Sequence, residues 1–243
     1  MIPVDSLLYK IDQRLNKLST NSHQQIFLED KILALNEAQI KLIKQKTDGF
    51  SIVSGLGLDA FKKRYEDLQA LIVDYDEGKL LLKKTNKVLN QYSANLGKLL
   101  PQYMFYIDSY VLADKGRCKD RIIWINRDLA KHGDLQFILN NDHYKPSFEY
   151  QETFNVLSSD EISIFTDGTF TPKSIYVSYM RYPVYIDKEG YVKFDGKNSL
   201  SQDCELEVYL EDELLDLAVQ NLAMYIENQS AIQTSQIRIQ TNE

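Results

Sequence analysis

The chain has 243 residues, of which 44% are hydrophobic and 26% are charged, the balance of an ordinary soluble globular protein. Its net charge of −7 and its pI near 5.1 disfavour broad adhesion to nucleic acid or to anionic membranes. No run approaches the roughly 18 apolar residues of a membrane span, and the opening residues lack a signal-peptide pattern. Because Cys118 and Cys204 form no CxxC pair, we expect a reducing compartment and no disulfide framework.

Three amphipathic helices are predicted in the first third of the chain. Apolar residues recur at steps of three and four over residues 4–18, with Asp5 or Ser6 as the N-cap. Residues 28–46 carry a second stripe, with acids in the first turn and lysines towards the end, which complement the helix dipole. A third helix is predicted after the glycine-rich turn, with apolar positions that run to Ile72.

From about residue 100 the sequence changes to runs of β-branched and aromatic residues. Ten of the sixteen tyrosines lie between Tyr103 and Tyr191, which favours a half-buried antiparallel sheet. Hairpin turns are predicted at residues 114–116, 158–160 and 187–197. A short helix is predicted between the strands, over residues 134–141.

The last predicted helix has two chemically different sides. Its apolar side contains Leu215, Ala218, Leu222 and Ile226. Its polar side contains Glu213, Asp216, Gln220 and Glu227. Because a helix with a wide apolar face cannot stand alone, we expect it to pack against the N-terminal helices.

The fold class predicted from this order of elements is α+β, because helices and strands come in blocks rather than in alternation. We expect a helical bundle of residues 1–99 and 205–228, in which the last helix closes on the N-terminal helices. An antiparallel β-rich domain of residues 100–204 is then inserted into the bundle. Residues 229–243 form an extended C-terminal tail.

The tail carries the candidate partner-binding residues. Beyond Asn228 it is nearly free of charge, and its last isoleucines alternate with polar residues at the period of a strand. Two interpretations stay open: the tail is disordered, or it docks on a partner, for instance by adding a strand to a neighbour's sheet. The candidate residues for such docking are Ile232, Ile237, Arg238 and Ile239.

No catalytic, cofactor-binding or metal site is predicted. Gly55-x-Gly57-x-x-Ala60 resembles the turn that cradles a pyrophosphate at a helix N-terminus. The βαβ units that should follow such a turn are missing, so an NAD(P)- or FAD-dependent oxidoreductase is kept only as the alternative. The three histidines, His23, His132 and His143, are scattered and have no ligand spacing.

Several segments, in chain order, carry a family resemblance: "LEDKILALNEAQIKLIKQK", "FKKRYEDLQ", "IDSYVLADKGRCKDR", "DLQFILNNDHYKPSFEYQET", "SYMRYP" and "YLEDELLDLAVQNLA". Together they resemble a ring protein of crAss-like tailed phages, a structural protein that joins the portal to the short tail. The resemblance covers nearly the whole chain. More distantly, a helical bundle with an inserted β domain is similar to the head–tail adaptors of other podoviruses.

The resemblance implies a virion protein of the portal–tail junction, assembled in the host cytoplasm as a homo-oligomeric ring of twelve copies. The implied partners are further copies of the chain, the portal protein, neighbouring tail or ring proteins, and DNA that passes through non-specifically. No enzymatic activity, cofactor or membrane contact is implied. An acidic chain suits such a channel because negative charge repels phosphate, and residues 211–216 are a hypothetical lining. The sheet and the tail are the candidates for one side of the contact between copies.

Overall fold

A computed structural model of the chain describes residues 1–18, 26–47, 66–86, 89–127, 130–193 and 196–225. Within these ranges the fold is α+β, with four α-helices and one large sheet of nine strands. The helices are α1 (Val4–Leu18), α2 (Leu28–Thr47), α3 (Leu135–Asn140) and α4 (Glu211–Tyr225). The strands are β1 (Ile72–Val73), β2 (Lys79–Leu81), β3 (Lys83–Asn86), β4 (Gln91–Asn95), β5 (Tyr103–Lys115), β6 (Cys118–Arg127), β7 (Glu152–Ser158), β8 (Glu161–Phe165) and β9 (Thr171–Arg181).

The chain divides into two compact units. The first unit combines Met1–Ala70 with Pro183–Glu243, and the second is Leu71–Tyr182. Residues 71–182 contain 14 Lys and Arg and 14 Asp and Glu, so the net charge of −7 belongs entirely to the first unit. The second unit is therefore electrically neutral in sum.

In the first unit, helix α1 begins at Val4, one residue before the predicted N-cap. The Val4 N–H donates to Oδ1 of Asp203 at 2.9 Å, so a carboxylate far along the chain caps the helix in place of Asp5 or Ser6. The predicted apolar stripe is confirmed by four buried residues: Val4, Leu7, Ile11 and Leu15.

Helix α4 contacts both α1 and α2 and is buried on nearly every side. Its apolar face is confirmed at Leu215, Ala218 and Leu222, which are all buried. Two residues of the polar side, Asp216 and Gln220, are buried as well, at 4% and 6% exposed, and Ile226 and Glu227 lie outside the described residues. The burial of Asp216 and Gln220 could not be predicted from sequence periodicity, because periodicity reflects only polarity and their partners lie on neighbouring helices.

Helix α1 neutralises the acids on one side of α4. Lys10 Nζ lies 2.6 Å from Glu211 Oε2. The Arg14 guanidinium pairs with Asp212 at 2.5 Å and also with the buried Asp216. A carboxylate that is buried with a paired guanidinium is held in place, whereas the same carboxylate without its cation would strongly destabilise the unit.

Helix α2 supplies the cations on another side of α4. Lys46 Nζ lies 2.7 Å from Glu213 and 3.2 Å from Asp67, whose side chain is only 2% exposed. Lys41 Nζ donates to the Gln220 side-chain oxygen at 3.3 Å. The acids of residues 211–216 are thus largely matched inside the unit, which weakens the hypothesis that they line a channel with free negative charge.

Two buried amides of α2 anchor the chain segment that returns from the second unit. The Asn36 side chain donates to the Ile186 carbonyl oxygen and accepts from the Ile186 N–H, both at 2.8 Å. Gln39 Nε2 lies 3.8 Å from the buried Cys204 thiol. The side-chain amide of Asn36 therefore makes the two hydrogen bonds with the Ile186 backbone that a neighbouring strand would otherwise make. The N–H and the carbonyl group of Ile186 are both hydrogen-bonded as a result.

At the hairpin predicted over residues 187–197, the described residues form two isolated antiparallel bridges, between Val192 and Asn198 and between Asp187 and Gln202. Asp187 is the anchor of this segment, since its carboxylate accepts from Tyr191 Oη at 2.7 Å and meets Lys193 Nζ at 2.6 Å. Burial alone would raise the pKa of Asp187, yet the hydrogen bonds from Lys193 and Tyr191 hold it below its ordinary value.

The second unit is built on one sheet with the strand order β1-β9-β5-β6-β7-β8-β4-β3, in which β2 also pairs with β9. All the strand pairs are antiparallel except the parallel pair of β6 and β7. The predicted hairpin of residues 114–116 is confirmed as the β5–β6 turn, the turn of residues 158–160 joins β7 to β8, and the short helix is α3.

The sheet starts earlier in the chain than the sequence predicted. Strands β1 to β4 lie within residues 72–95, which had been assigned to the helical bundle. Ile72, the last position of the predicted third helix, belongs to β1, and residues 58–65 of that helix lie outside the described residues. These strands are only two to five residues long, and β2 and β3 begin with lysines, so they lack an alternating pattern that indicates a strand. The second unit accordingly spans Leu71–Tyr182, whereas the sequence placed the β-rich domain at 100–204.

The two ends of the sheet are consecutive in the chain. Only Leu82 separates β2, which pairs with β9, from β3, which pairs with β4. The sheet therefore curves back on itself and encloses one core, to which both ends contribute residues such as Leu80 and Ala94. Next to this closure, Gly78 lies against β9, where an added Cβ would overlap the Val177 carbonyl oxygen.

We predict that Leu222→Asp strongly destabilises the first unit. Leu222 is 1% exposed on α4, so the substitution places an unpaired carboxylate among apolar side chains, at a cost of several kcal/mol. Thermal and urea melts followed by circular dichroism would measure the loss. Met224→Asp adds the same charge to the same helix at a position that is 46% exposed, and it should lower the free energy of unfolding by less than about 1 kcal/mol. Equal melts for the two variants would contradict the placement of α4.

Candidate functional site

The predicted partner-binding residues Ile232, Ile237, Arg238 and Ile239 lie outside the described residues, as does the glycine turn at 55–60. The candidate site that the structure does describe is a surface of the second unit. It lies on the face of the sheet that points away from the core, where aromatic and aliphatic side chains from four strands stand side by side.

The strands place these residues by simple alternation. Ile175, Val177 and Tyr179 of β9 are buried in the core, which turns Ser174 and Tyr176 to the opposite face. The same alternation buries Val111 and Ala113 of β5 and Ile123 of β6. The residues between them therefore share the outer face with Tyr176.

One cross-strand row forms the centre of this face. The register aligns Lys79 of β2, Tyr176 of β9, Tyr110 of β5 and Trp124 of β6. The Tyr110 and Tyr176 rings are stacked, with centroids 4.9 Å apart and planes only 5° from parallel. Trp124 contacts Tyr110 at 5.8 Å, and Lys79 Nζ lies 5.3 Å from the Tyr176 ring centroid. Directly opposed aromatic pairs of this kind stabilise neighbouring strands.

A second row runs beside the first. The register aligns Leu81, Ser174, Leu112 and Ile122 across the same four strands. Leu81 is 72% exposed and Ile122 is 40% exposed, whereas Trp124 in the first row is 53% exposed. The two rows together define what we call the aromatic face: Lys79, Leu81, Tyr110, Leu112, Ile122, Trp124, Ser174 and Tyr176.

Tyr75 borders the aromatic face and fixes one of its edges. Its hydroxyl donates to Asp108 Oδ2 at 2.6 Å, and its ring centroid lies 5.2 Å from that of Tyr110. The central tyrosine is thus held between Tyr75, Tyr176 and Trp124. A ring that is fixed by its neighbours loses little conformational entropy when a partner covers it, which favours binding.

The electrostatics of the face combine one cation with neutral phenols. A hydrogen bond to Tyr176 raises the pKa of Lys79, and burial raises the pKa of Tyr110. At neutral pH the row therefore presents an ammonium group beside tyrosine hydroxyls that can both donate and accept hydrogen bonds. Such a surface suits a partner that brings apolar and uncharged polar groups together.

A separate cleft of about 810 Å³ lies beside α3, lined among others by His132, Lys145 and Asp167. His132 Nε2 is 3.2 Å from the Leu157 carbonyl oxygen, and Lys145 Nζ pairs with Asp142 at 2.6 Å. Both groups are thus engaged in contacts with other parts of the protein. In the described ranges, no group of three or more His, Cys, Asp or Glu residues could hold a metal ion.

Comparison of the sequence with protein-family models and with curated proteins returned no match. Among the helices in the described ranges, none combines the length and the apolar character that crossing a membrane requires.

The sequence missed the aromatic face, although part of its signal was visible. The predicted β5–β6 hairpin brings Trp124 beside Tyr110, but Tyr176 joins them only through the pairing of β5 with β9, which lies far along the chain. Lys79 and Leu81 belong to a strand that the sequence had assigned to the helical region.

We predict that the neighbouring residues Ile122 and Ile123 differ sharply in their contribution to stability. Ile123 is fully buried, so Ile123→Ala should lower the free energy of unfolding by about 2–5 kcal/mol through lost burial and a cavity. Ile122 lies on the aromatic face, and Ile122→Ala should cost less than about 1 kcal/mol. Urea denaturation of the two variants provides the measurement. Equal losses would show that the outer face is assigned to the wrong side of β6.

Proposed function

We propose that this protein is a structural subunit of a tailed-phage virion, which assembles into a homo-oligomeric ring that connects the portal to the tail and lets DNA pass. The family resemblance of the sequence supports the proposal. The finer architecture belongs to it as well: the first unit would be a helical bundle closed by α4, and the second a β domain inserted between its two chain segments. In this proposal the protein is not an enzyme and needs no cofactor.

The observation that carries the proposal is the aromatic face. Trp124 is 53% exposed and Leu81 is 72% exposed on a surface already ordered by cross-strand stacking. Tyrosine and tryptophan are enriched at protein–protein interfaces and dominate the energetics of binding.

The distribution of charge also supports a role in assembly. The second unit is neutral in sum, while the first carries all of the net charge of −7. Copies that meet through the second unit avoid the repulsion that two acidic surfaces would create. A closed ring needs two different complementary patches on each copy, so the aromatic face would be one side of the contact.

The oligomeric state tests the proposal. Native mass spectrometry and electron microscopy of the purified chain, with and without portal protein, should show rings whose mass is a multiple of the 28.2 kDa chain. Twelve copies is the number that the resemblance implies. A chain that stays monomeric at high concentration and does not bind the portal would contradict the proposal.

We predict that the double variant Trp124→Ala with Ile122→Ser weakens self-association, while the loss of the Trp124–Tyr110 contact lowers the free energy of unfolding by only about 1–2 kcal/mol. Removal of an interface anchor typically costs 2 kcal/mol or more, which corresponds to about a 30-fold weaker contact. Sedimentation velocity would measure the association. Tyr150→Ser is the control, because Tyr150 is an 81% exposed aromatic of the same unit that is not part of the aromatic face. If the control weakens association as much as the double variant, the aromatic face is not the contact.

A titration tests the alternative function. If the chain is a ring subunit, calorimetry with NAD, NADP and FAD should show no saturable binding. Micromolar binding that is lost in Gly57→Val would favour the oxidoreductase, because the added side chain would block the close approach of backbone to pyrophosphate.

A further inference from the structure

We propose that the aromatic face receives the C-terminal segment, residues 229–243, of a neighbouring copy of the chain. This inference rests on the proposed function, because it names the segment that fills one side of the contact between copies. It makes each subunit both a donor of its own segment and a receptor for the next one.

The shape of the aromatic face favours an extended, mixed-polarity segment over a flat apolar surface. The Tyr110 and Tyr176 rings lie parallel at 4.9 Å, about the spacing of neighbouring strands, so they stand up from the sheet and present their edges and hydroxyls. Leu81 and Ile122 flank them with aliphatic surface, and Lys79 adds an ammonium donor. A fitting partner supplies both branched aliphatic side chains and uncharged hydrogen-bonding groups.

The C-terminal segment has this chemistry. Residues 229–243 contain three isoleucines, four glutamines, one arginine and one acid, Glu243. In an extended chain Ile237 and Ile239 point to one side, where they can cover Trp124 and the leucines of the face. The glutamine amides match tyrosine hydroxyls as donors and acceptors, and the Arg238 guanidinium can lie over an aromatic ring.

The C-terminal segment differs in net charge from residues 183–227, which precede it in the chain. Residues 183–227 contain 11 Asp and Glu against three Lys, so an approach by this part of a neighbour would bring net negative charge to a face bordered by Asp76, Asp108 and Asp120. Residues 229–243 bring no net charge, because Arg238 and Glu243 balance each other. Electrostatics therefore favours the C-terminal segment over the rest of the first unit as the occupant.

The geometry of the sheet favours docking on its face over addition of a strand to its edge. The strands at the closure, β2 and β3, are only three and four residues long and are joined through Leu82. So short an edge offers few backbone partners to an incoming strand. The aromatic face, in contrast, spans four strands. Fully extended, the 15 residues of the segment reach about 50 Å.

Trp124 makes the inference directly measurable, because it is the only tryptophan in the chain. We expect a synthetic peptide of residues 229–243, added to the full chain at a dilution where it is monomeric, to shift the Trp124 emission to shorter wavelength in a saturable manner. A peptide with Ile237→Gln and Ile239→Gln should bind at least about tenfold more weakly. A peptide with Ser230→Gln and Ser235→Gln, which introduces the same residues elsewhere in the segment, should bind like the original. Saturation without any spectral shift, or equal binding of all three peptides, would overturn the inference.

Assembly of the full chain separates this inference from the proposed function. We expect the emission of Trp124 to shift as the concentration rises through assembly, and excess peptide to disperse the particles without reversing the shift. Rings that form while the emission stays constant would overturn docking on the aromatic face and leave the ring intact. A shift that is present at every dilution would overturn docking between copies, because the segment would then lie on its own chain. Full chains with Ile237→Gln and Ile239→Gln that assemble and shift normally would assign the face to another part of the neighbour.

Discussion

The neutralisation of helix α4 is the interaction on which the first unit depends. The helix is buried on nearly all sides, although it begins with three consecutive acids and carries the buried Asp216. Such a helix can enter a core only because Arg14 and Lys46 meet its carboxylates from two neighbouring helices. The same pairing limits the negative charge that α4 presents at the surface, because a carboxylate that is paired within the unit repels phosphate less.

The second unit exposes aromatic side chains on a sheet that stays folded. Closure through Leu82 gives the strands a common core. On the outer side, β7 and β8 pack Phe154, Val156 and Phe165 against residues of α3, whereas β5, β6 and β9 present Tyr110, Tyr176 and Trp124. The stacking between strands also keeps these rings in fixed positions. A surface of this kind is stable alone and ready for a partner, which is the property that an assembly subunit needs.

The sequence predicted the α+β class, the positions of α1, α2 and α4, and the β5–β6 hairpin, because long periodic segments record burial directly. It failed where partners come from far along the chain. The burial of Asp216 depends on a residue of α1, and the short strand β2 exists only because β9 pairs with it. The aromatic face could not be predicted for the same reason, because its two rows depend on the register in which β9 pairs with β2 and β5, and local sequence does not determine that register.

The first unit is discontinuous in the chain, and this has a consequence for synthesis. Helices α1 and α2 leave the ribosome before the 112 residues of the second unit, and α4 follows only after them. The 163 residues between Thr47 and Glu211 take roughly 8–33 seconds to synthesise at about 5–20 residues per second, and the apolar faces of α1 and α2 lack their partner for that time. During this interval the second unit can complete its own core. Helices α1 and α2 can therefore bury their apolar faces, and lose their tendency to aggregate, only after α4 has been synthesised.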